Sequence, residues 1–250
     1  MIGRGGSPAA AKGEATAAAI PADARAPEAL RSLFSRTVPG EVVAVRLTGR
    51  SAAAWPALRV VACLEGAGFT EVSVGARSAT ARRWRSLADS VGPGMRLLCV
   101  GLNPSLVAAD TGVGYAGATN RFWPAAVAAG LVPAGRDVDA ALAAGVGLTD
   151  LVKRATCRAS LLDPAEYVAG AGRVERLVRW LRPAVVAFVG LSGYRAAVDR
   201  RAAVGFQPAP FGGRPAYVLP STSGANAHAR LEDLVAHLRA AAGSPSDGRG

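Results

Sequence analysis

The chain has few of the side chains that bind metals or cross-link small folds. Its 250 residues include three cysteines, Cys63, Cys99 and Cys157, far apart and without a C-x-x-C pair, and two histidines, His228 and His237. Three thiols cannot form a four-cysteine iron–sulfur site, and two histidines give no zinc spacing, so neither metal nor cofactor is expected. Cys99 sits within an apolar run and reads as a small core residue. No apolar run is long enough to span a bilayer, and residues 1–26 are rich in Ala, Gly and Pro without the compact apolar stretch of a signal peptide. A cytoplasmic, nucleoid-associated location without a membrane partner follows as the expectation. The G-x-G-x-x-G and phosphate-loop patterns of nucleotide-binding enzymes are missing too. Lysine is almost absent: Lys12 and Lys153 are the only two, and the remainder of the 29 basic residues are arginine.

What is present is a basic, apolar-rich chain. The formal net charge is +11, the pI about 10.8, and half the residues are hydrophobic. The charge favours a polyanionic partner, although arginine in an Ala/Gly/Val-rich chain also follows from a GC-rich genome. The apolar content is enough for a sizeable core. Residues 1–27 read as a flexible leader. Residues 28–93 read as a small β-α-β-α module of unknown role: a helix over 28–36, a strand over 41–47, a helix over 55–66, a strand over 70–74, and an arginine-bearing helix over 81–90. From Met95 strands and helices alternate. Asp163-Pro164-Ala165-Glu166 carries a helix N-cap, a first-turn proline and an acid at the third position. The helix behind it repeats Val174, Leu177, Val178 and Leu181 and stops at Pro183, ahead of an apolar strand over 184–189. Residues 216–219 form another strand, the last helix carries Leu231, Leu234, Val235 and Leu238, and residues 243–250 are a loose tail. The fold class is α/β, a mostly parallel central sheet with helices on both faces.

Gly101-Leu102-Asn103-Pro104-Ser105 directly follows the strand-like Leu97-Leu98-Cys99-Val100. A buried strand ending in such a turn presents a neutral amide and free backbone N–H groups at the carboxyl edge of a sheet, where open α/β proteins bind ligands. Asn120-Arg121-Phe122-Trp123 begins 17 residues after Asn103, and Leu219-Pro220-Ser221-Thr222-Ser223-Gly224 stands near the C-terminus. Its hydroxyls, ahead of a helix, suit a phosphate backbone. An enzyme that grips DNA and works on one base fits all three blocks.

In these blocks, with Thr149-Asp150-Leu151-Val152-Lys153-Arg154 as a weaker fourth, residues 94–242 resemble the mismatch-specific uracil/thymine DNA glycosylases of the uracil-DNA glycosylase superfamily. The resemblance implies a monomeric, monofunctional hydrolase that flips uracil, or a related pyrimidine mispaired with guanine, out of double-stranded DNA and begins base excision repair. It implies that Asn103 holds the attacking water through its side-chain carbonyl, that Tyr115 stacks on the base, and that Gly101, Leu102, Ser105 and Asn120 shape the base pocket. Asn103 also suits a plain turn, and Tyr115 plain loop packing. An amide can orient a water but takes no proton from it, so slow chemistry is expected; Asp110, in the same loop, is a weaker rival for that proton. Ser221, Thr222, Ser223, Gly224, Ala225, Asn226 and His228 form the expected DNA-insertion loop, where Asn226 or His228 fills the gap left by the base. Arg121 reads as structural, Phe122 and Trp123 as core, and Asp150 and Lys153 as a surface pair. A non-catalytic DNA-binding protein with a glycosylase-like fold stays open as the alternative.

Overall fold

A computed structural model describes residues 15–226 and 229–243. Its N-terminal half builds a sheet of its own. Strands β1 (Thr16–Pro21), β2 (Val42–Thr48), β3 (Phe69–Val74) and β4 (Ser78–Arg83) lie in the order β1-β2-β4-β3, with β1 parallel to β2 and the other two pairings antiparallel. Helices α1 (Ala26–Ser35) and α2 (Ala57–Gly66) cover one face, burying Leu30, Leu33, Val60 and Leu64 against Val43, Val45 and Phe69. Two readings change here. Residues 16–21, in the expected leader, form a strand because Ala-Ala-Ala-Ile pairs in register with the apolar β2. The expected helix over 81–90 is instead the end of β4 and an irregular segment. Ser78, Ala79, Thr80 and Ala81 alternate exposed and buried, the two-residue period of a strand, and both edges of β4 are taken by β2 and β3.

The second sheet consists of β5 (Leu97–Gly101), β6 (Val146–Asp150), β7 (Val185–Val189), β8 (Gly205–Phe206) and β9 (Ala216–Leu219), in the order β6-β5-β7-β9-β8. The pairings β5–β6, β5–β7 and β7–β9 are parallel, and the two-residue edge strand β8 is antiparallel. Every residue of β5, β6, β7 and β9 is buried. That is why β5, β7 and β9 read as continuous apolar runs rather than alternating ones. Alternate residues of β5 enter two cores. Leu97 and Cys99 face Phe122, Trp123, Leu234 and Leu238, whereas Leu98 and Val100 face Val174, Leu177, Val178 and Phe188.

The helices follow from the sequence signals. Asp163 caps α6 (Pro164–Leu181) in a full capping box with Glu166, and α8 (Leu231–Ala242) buries Leu234, Leu238 and Ala241. α3 (Leu106–Thr111), α4 (Phe122–Ala128) and α5 (Val138–Ala143) precede α6, and α7 (Leu191–Ala197) stands between α6 and α8. No helix among the described residues is long and apolar enough to cross a membrane. The two sheets meet at α2 and α6, where Trp55 and Trp180 pack edge to face at 5.5 Å. They meet again at Ser90, whose backbone exchanges two hydrogen bonds with Leu148 of β6. The chain steps from β5 outward to β6 and then back across to β7, so β5 is a switch point. Ligand crevices open at the carboxyl ends of strands at such points.

Candidate functional site

A cleft of about 570 Å³ opens at the carboxyl ends of β5, β6 and β9. Its walls gather nearly all the residues singled out from the sequence: Leu102, Asn103, Ser105, Tyr115, Asn120, and the loop from Ser221 to Asn226. Gly101 lies just behind, in the floor. The loops that follow β5 and β6 run side by side, with Leu151 N–H donating to Gly101 O, Val152 N–H to Leu102 O and Thr156 N–H to Pro104 O. This pairing fixes the Asn103 amide. Its Nδ2 donates to Pro104 O (3.1 Å), Arg154 O (3.0 Å) and Thr156 Oγ1 (2.8 Å). Two of those acceptors are backbone carbonyls, which cannot donate, so the nitrogen must face them. Asn103 is half-buried and lines the cleft, and among the described residues its Oδ1 has no hydrogen-bond donor. Ser105 caps α3 by accepting from Ala108 N–H.

Tyr115 holds a left-handed backbone, φ 57°, a conformation that bulky residues adopt only when their surroundings enforce it. The enforcement is visible. One face of its ring stacks on Phe122 at 4.1 Å, and Trp123 Nε1 donates to Gly114 O beside it. Phe122 and Trp123 are core residues as expected, 0 % and 2 % exposed. The Tyr115 hydroxyl is buried without a hydrogen-bond partner. A side chain on Gly101 would strike the Asp150 carboxylate and come within 3.1 Å of that hydroxyl, so glycine is required there. Asn120 Oδ1 accepts from Phe122 N–H and ties the loop to the start of α4.

Asp150 and Lys153 are not a surface pair. Asp150 is 8 % exposed and lines the cleft. Among the described residues, neither of its carboxylate oxygens takes part in a hydrogen bond or salt bridge. Burial pushes its carboxyl up to about 6, against the pull of Lys153 and Arg173 and with a smaller push from Asp89. Lys153, 7 % exposed, turns away to Asp89 at 2.7 Å. Asp150 is the site residue that sequence reasoning passed over. The signal available was its place as the last residue of an apolar strand, in register with Gly101. Asp110 points elsewhere: it is exposed and paired with Arg85 at 2.7 Å, which keeps its carboxyl low. The Cys99 thiol is fully buried and pushed up to about 12, as a core cysteine should be.

The 220–226 loop is held from the opposite side. Arg121 N–H donates to Thr222 O, and its guanidinium donates to Ser223 O (3.1 Å), Asn226 O (2.6 Å) and Ala229 O. Arg121 is therefore structural, but what it holds is the insertion loop. Ser221 and Ser223 stand at the cleft rim and each accepts from the N–H two residues on. Thr222 is 2 % exposed, so its hydroxyl belongs to the cleft wall rather than to a phosphate-facing rim. Gly224 has no room for a side chain because Thr119 lies against it. Asn226 turns its Nδ2 back onto Ser221 O at 2.9 Å, closing the loop instead of projecting from it. His228 lies outside the described residues. The serine hydroxyls do not cap the last helix, which starts only at Leu231 with Asp233 accepting from Arg230 N–H. Among the described residues no cluster of three or more His, Cys, Asp or Glu is placed to hold a metal ion.

An amide, a buried carboxyl and a hydroxyl-rich loop gathered around one cleft at the carboxyl edge of a parallel sheet make the arrangement of a ligand site in an α/β protein. Residues 88–241 match the family model of the Uracil DNA glycosylase superfamily, and the chain belongs to that superfamily. A solution NMR structure of a Methanosarcina acetivorans protein, whose designation as a uracil DNA glycosylase is provisional, is similar at 20 % identity. That similarity covers 62 % of this chain and 96 % of the other, with a TM-score of 0.44. Membership points to uracil DNA glycosylase activity on DNA. The N-terminal sheet precedes the matched region.

Proposed function

We infer that the protein is a monofunctional glycosylase of the mismatch-specific branch, releasing uracil, and related pyrimidines opposite guanine, from double-stranded DNA. The observation that carries this reading is the joint placement of the Asn103 carbonyl and the buried Asp150 carboxyl in one cleft with the 221–226 loop. A duplex base is stacked and paired, and extruding it costs a few kcal/mol, less at a mispair. The flipped base enters beside Tyr115, whose inner ring face is backed by Phe122, and the rim serines meet the phosphates either side of it.

Cleavage breaks the bond between C1′ and the base nitrogen, and its electron pair leaves with the base. Water adds to C1′ and gives up a proton. Asn103 aims the water, and Asp150 takes the proton. A carboxyl that titrates near 6 is mostly ionised at pH 7 yet still basic enough to accept it. The slow chemistry expected of a lone amide therefore does not apply, and the proton acceptor is Asp150 rather than Asp110. Among the described residues no lysine lines the cleft, so none is placed there to act as the nucleophile of Schiff-base strand cleavage.

The test is base release from G·U, A·U and G·T duplexes and from single-stranded uracil DNA, read as alkali-induced breaks. G·U should be cut fastest. Asn103→Ala and Asp150→Asn should each lower the rate by about 10²–10⁴. Asn103→Asp should not restore activity, since its carboxylate would face the carbonyl oxygens of Pro104 and Arg154 where a donor is needed. Tight binding to mispaired DNA without base release from any substrate would make the protein a DNA-binding relative instead.

A further inference from the structure

We propose that Asp89, Lys153 and Arg173 are positioning residues for base release: a buried charge cluster, with Asp89 reaching in from the N-terminal module, that anchors the Asp150 backbone and surrounds its carboxyl with fixed charges. The inference rests on the reading of Asp150 given above. Asp89, Lys153 and Arg173 are 5 %, 7 % and 3 % exposed. Asp89 Oδ1 meets Lys153 Nζ at 2.7 Å, and Asp89 Oδ2 meets Arg173 Nη1 at 2.9 Å. Thr149 donates to Asp89 Oδ1 (2.7 Å) while accepting from Arg173 Nη2 (3.1 Å), which also donates to the backbone carbonyl of Asp150. Ser86, on the segment that carries Asp89, donates to Lys153 O. Asp89 N–H donates to Gly66 O of α2, and a side chain on Gly66 would collide with the Asp89 carboxylate.

Three separate elements therefore converge directly behind the cleft carboxyl: the 84–91 segment, the loop after β6, and α6. Two buried cations pair with the one carboxylate of Asp89; Arg173 also acts on Glu65 of α2, and both cations act on Asp150. The charged and titratable groups that act on Asp150 are Lys153 from its own loop, Asp89 from the 84–91 segment, Arg173 from α6 and the Tyr115 hydroxyl from the loop after α3. β5 presents Gly101, which has no side chain. A buried ion cluster is a weak source of stability, which apolar residues of equal volume could supply. Its position at the back of the cleft gives it a role in the chemistry. Lys153 and Asp89 act on Asp150 in opposite senses: the first favours the carboxylate, the second favours the acid.

That opposition makes the test. In wild-type protein the acid limb of the rate–pH profile and the ¹³C titration of the Asp150 carboxyl should share a midpoint near 6. Asp89→Asn should move both down by about one pH unit and Lys153→Met should move both up by about one, while Lys153→Arg should leave them in place. Damage to packing alone would lower rates at every pH without opposite displacements. The proposal is overturned if the folded variants shift in the same direction or not at all, or if the wild-type carboxyl titrates near 3.8. The wild-type measurement decides even if a variant does not fold. If no duplex loses a base, the functional reading fails, and the NMR titrations still decide the cluster.

Discussion

At the scale of single residues, the site illustrates how burial changes the meaning of a side chain. Asp150 and Asp110 are the same chemical group near the same cleft. Asp110, exposed and paired with Arg85, is held in its ordinary ionised state. Asp150, enclosed and without a hydrogen bond, is pushed up to about 6. That push has a cost in stability. Folding raises the proton affinity of Asp150 above its value of 3.8 in the open chain, so the folded state takes up a proton between 3.8 and about 6. The stability cost is absent below 3.8, grows through that window and is fully present above 6. It is on the order of 3 kcal/mol. Asp150→Asn should therefore melt several degrees above wild type at pH 8, with the gap closing toward pH 4. A melting difference independent of pH would contradict this assignment.

At the scale of elements, the strands and helices that carry the site follow rules visible in the chain. β5, β7 and β9 are continuous apolar runs because they are covered on both faces. α6 begins at an Asp-Pro-Ala-Glu capping box and ends before Pro183. The misread element, β4, shows the limit of local pattern. Its Ala-rich, Arg-rich composition favours a helix, yet pairing with β2 and β3 on both edges fixes it as a strand. The insertion loop is a second case where local reading stops short. Its shape depends on Arg121, a hundred residues away in sequence and bonded to Ser223, Asn226 and Ala229. Arg121→Met removes a charged donor from three carbonyls, each such bond being worth about 1.5–3 kcal/mol where water does not replace it. The expected result is a roughly tenfold weaker Kd for duplex, with kcat within a few-fold of wild type. A lower kcat at unchanged Kd would place Arg121 in the chemistry instead.

At the scale of the whole molecule, the N-terminal sheet is built into the glycosylase region rather than appended to it. Ser90 bridges to Leu148 of β6, Trp55 packs on Trp180, and Asp89 neutralises Lys153 and Arg173. A fragment of residues 94–243 would lose Asp89 and leave Lys153 and Arg173 without their ion-pair partner, at a cost of about 3–5 kcal/mol, a large share of typical domain stability. The fragment should be insoluble or lack a cooperative melting transition by circular dichroism. A fragment that melts like the full chain would show that the matched region stands alone.

The sequence by itself determined the α/β class, three of the five strands of the second sheet (β5, β7 and β9), the capped α6, and three of the four blocks that line the cleft. These rest on periodicity, caps and turn chemistry, which act over a few residues and so can be read locally. Only the tertiary structure decided which charges are buried and with whom. Asp150 became a cleft carboxyl, Lys153 the partner of Asp89, and Arg121 the anchor of the insertion loop. A charge is set by whatever lies within a few ångströms of it, and in this fold those neighbours come from β-strands and helices tens of residues apart.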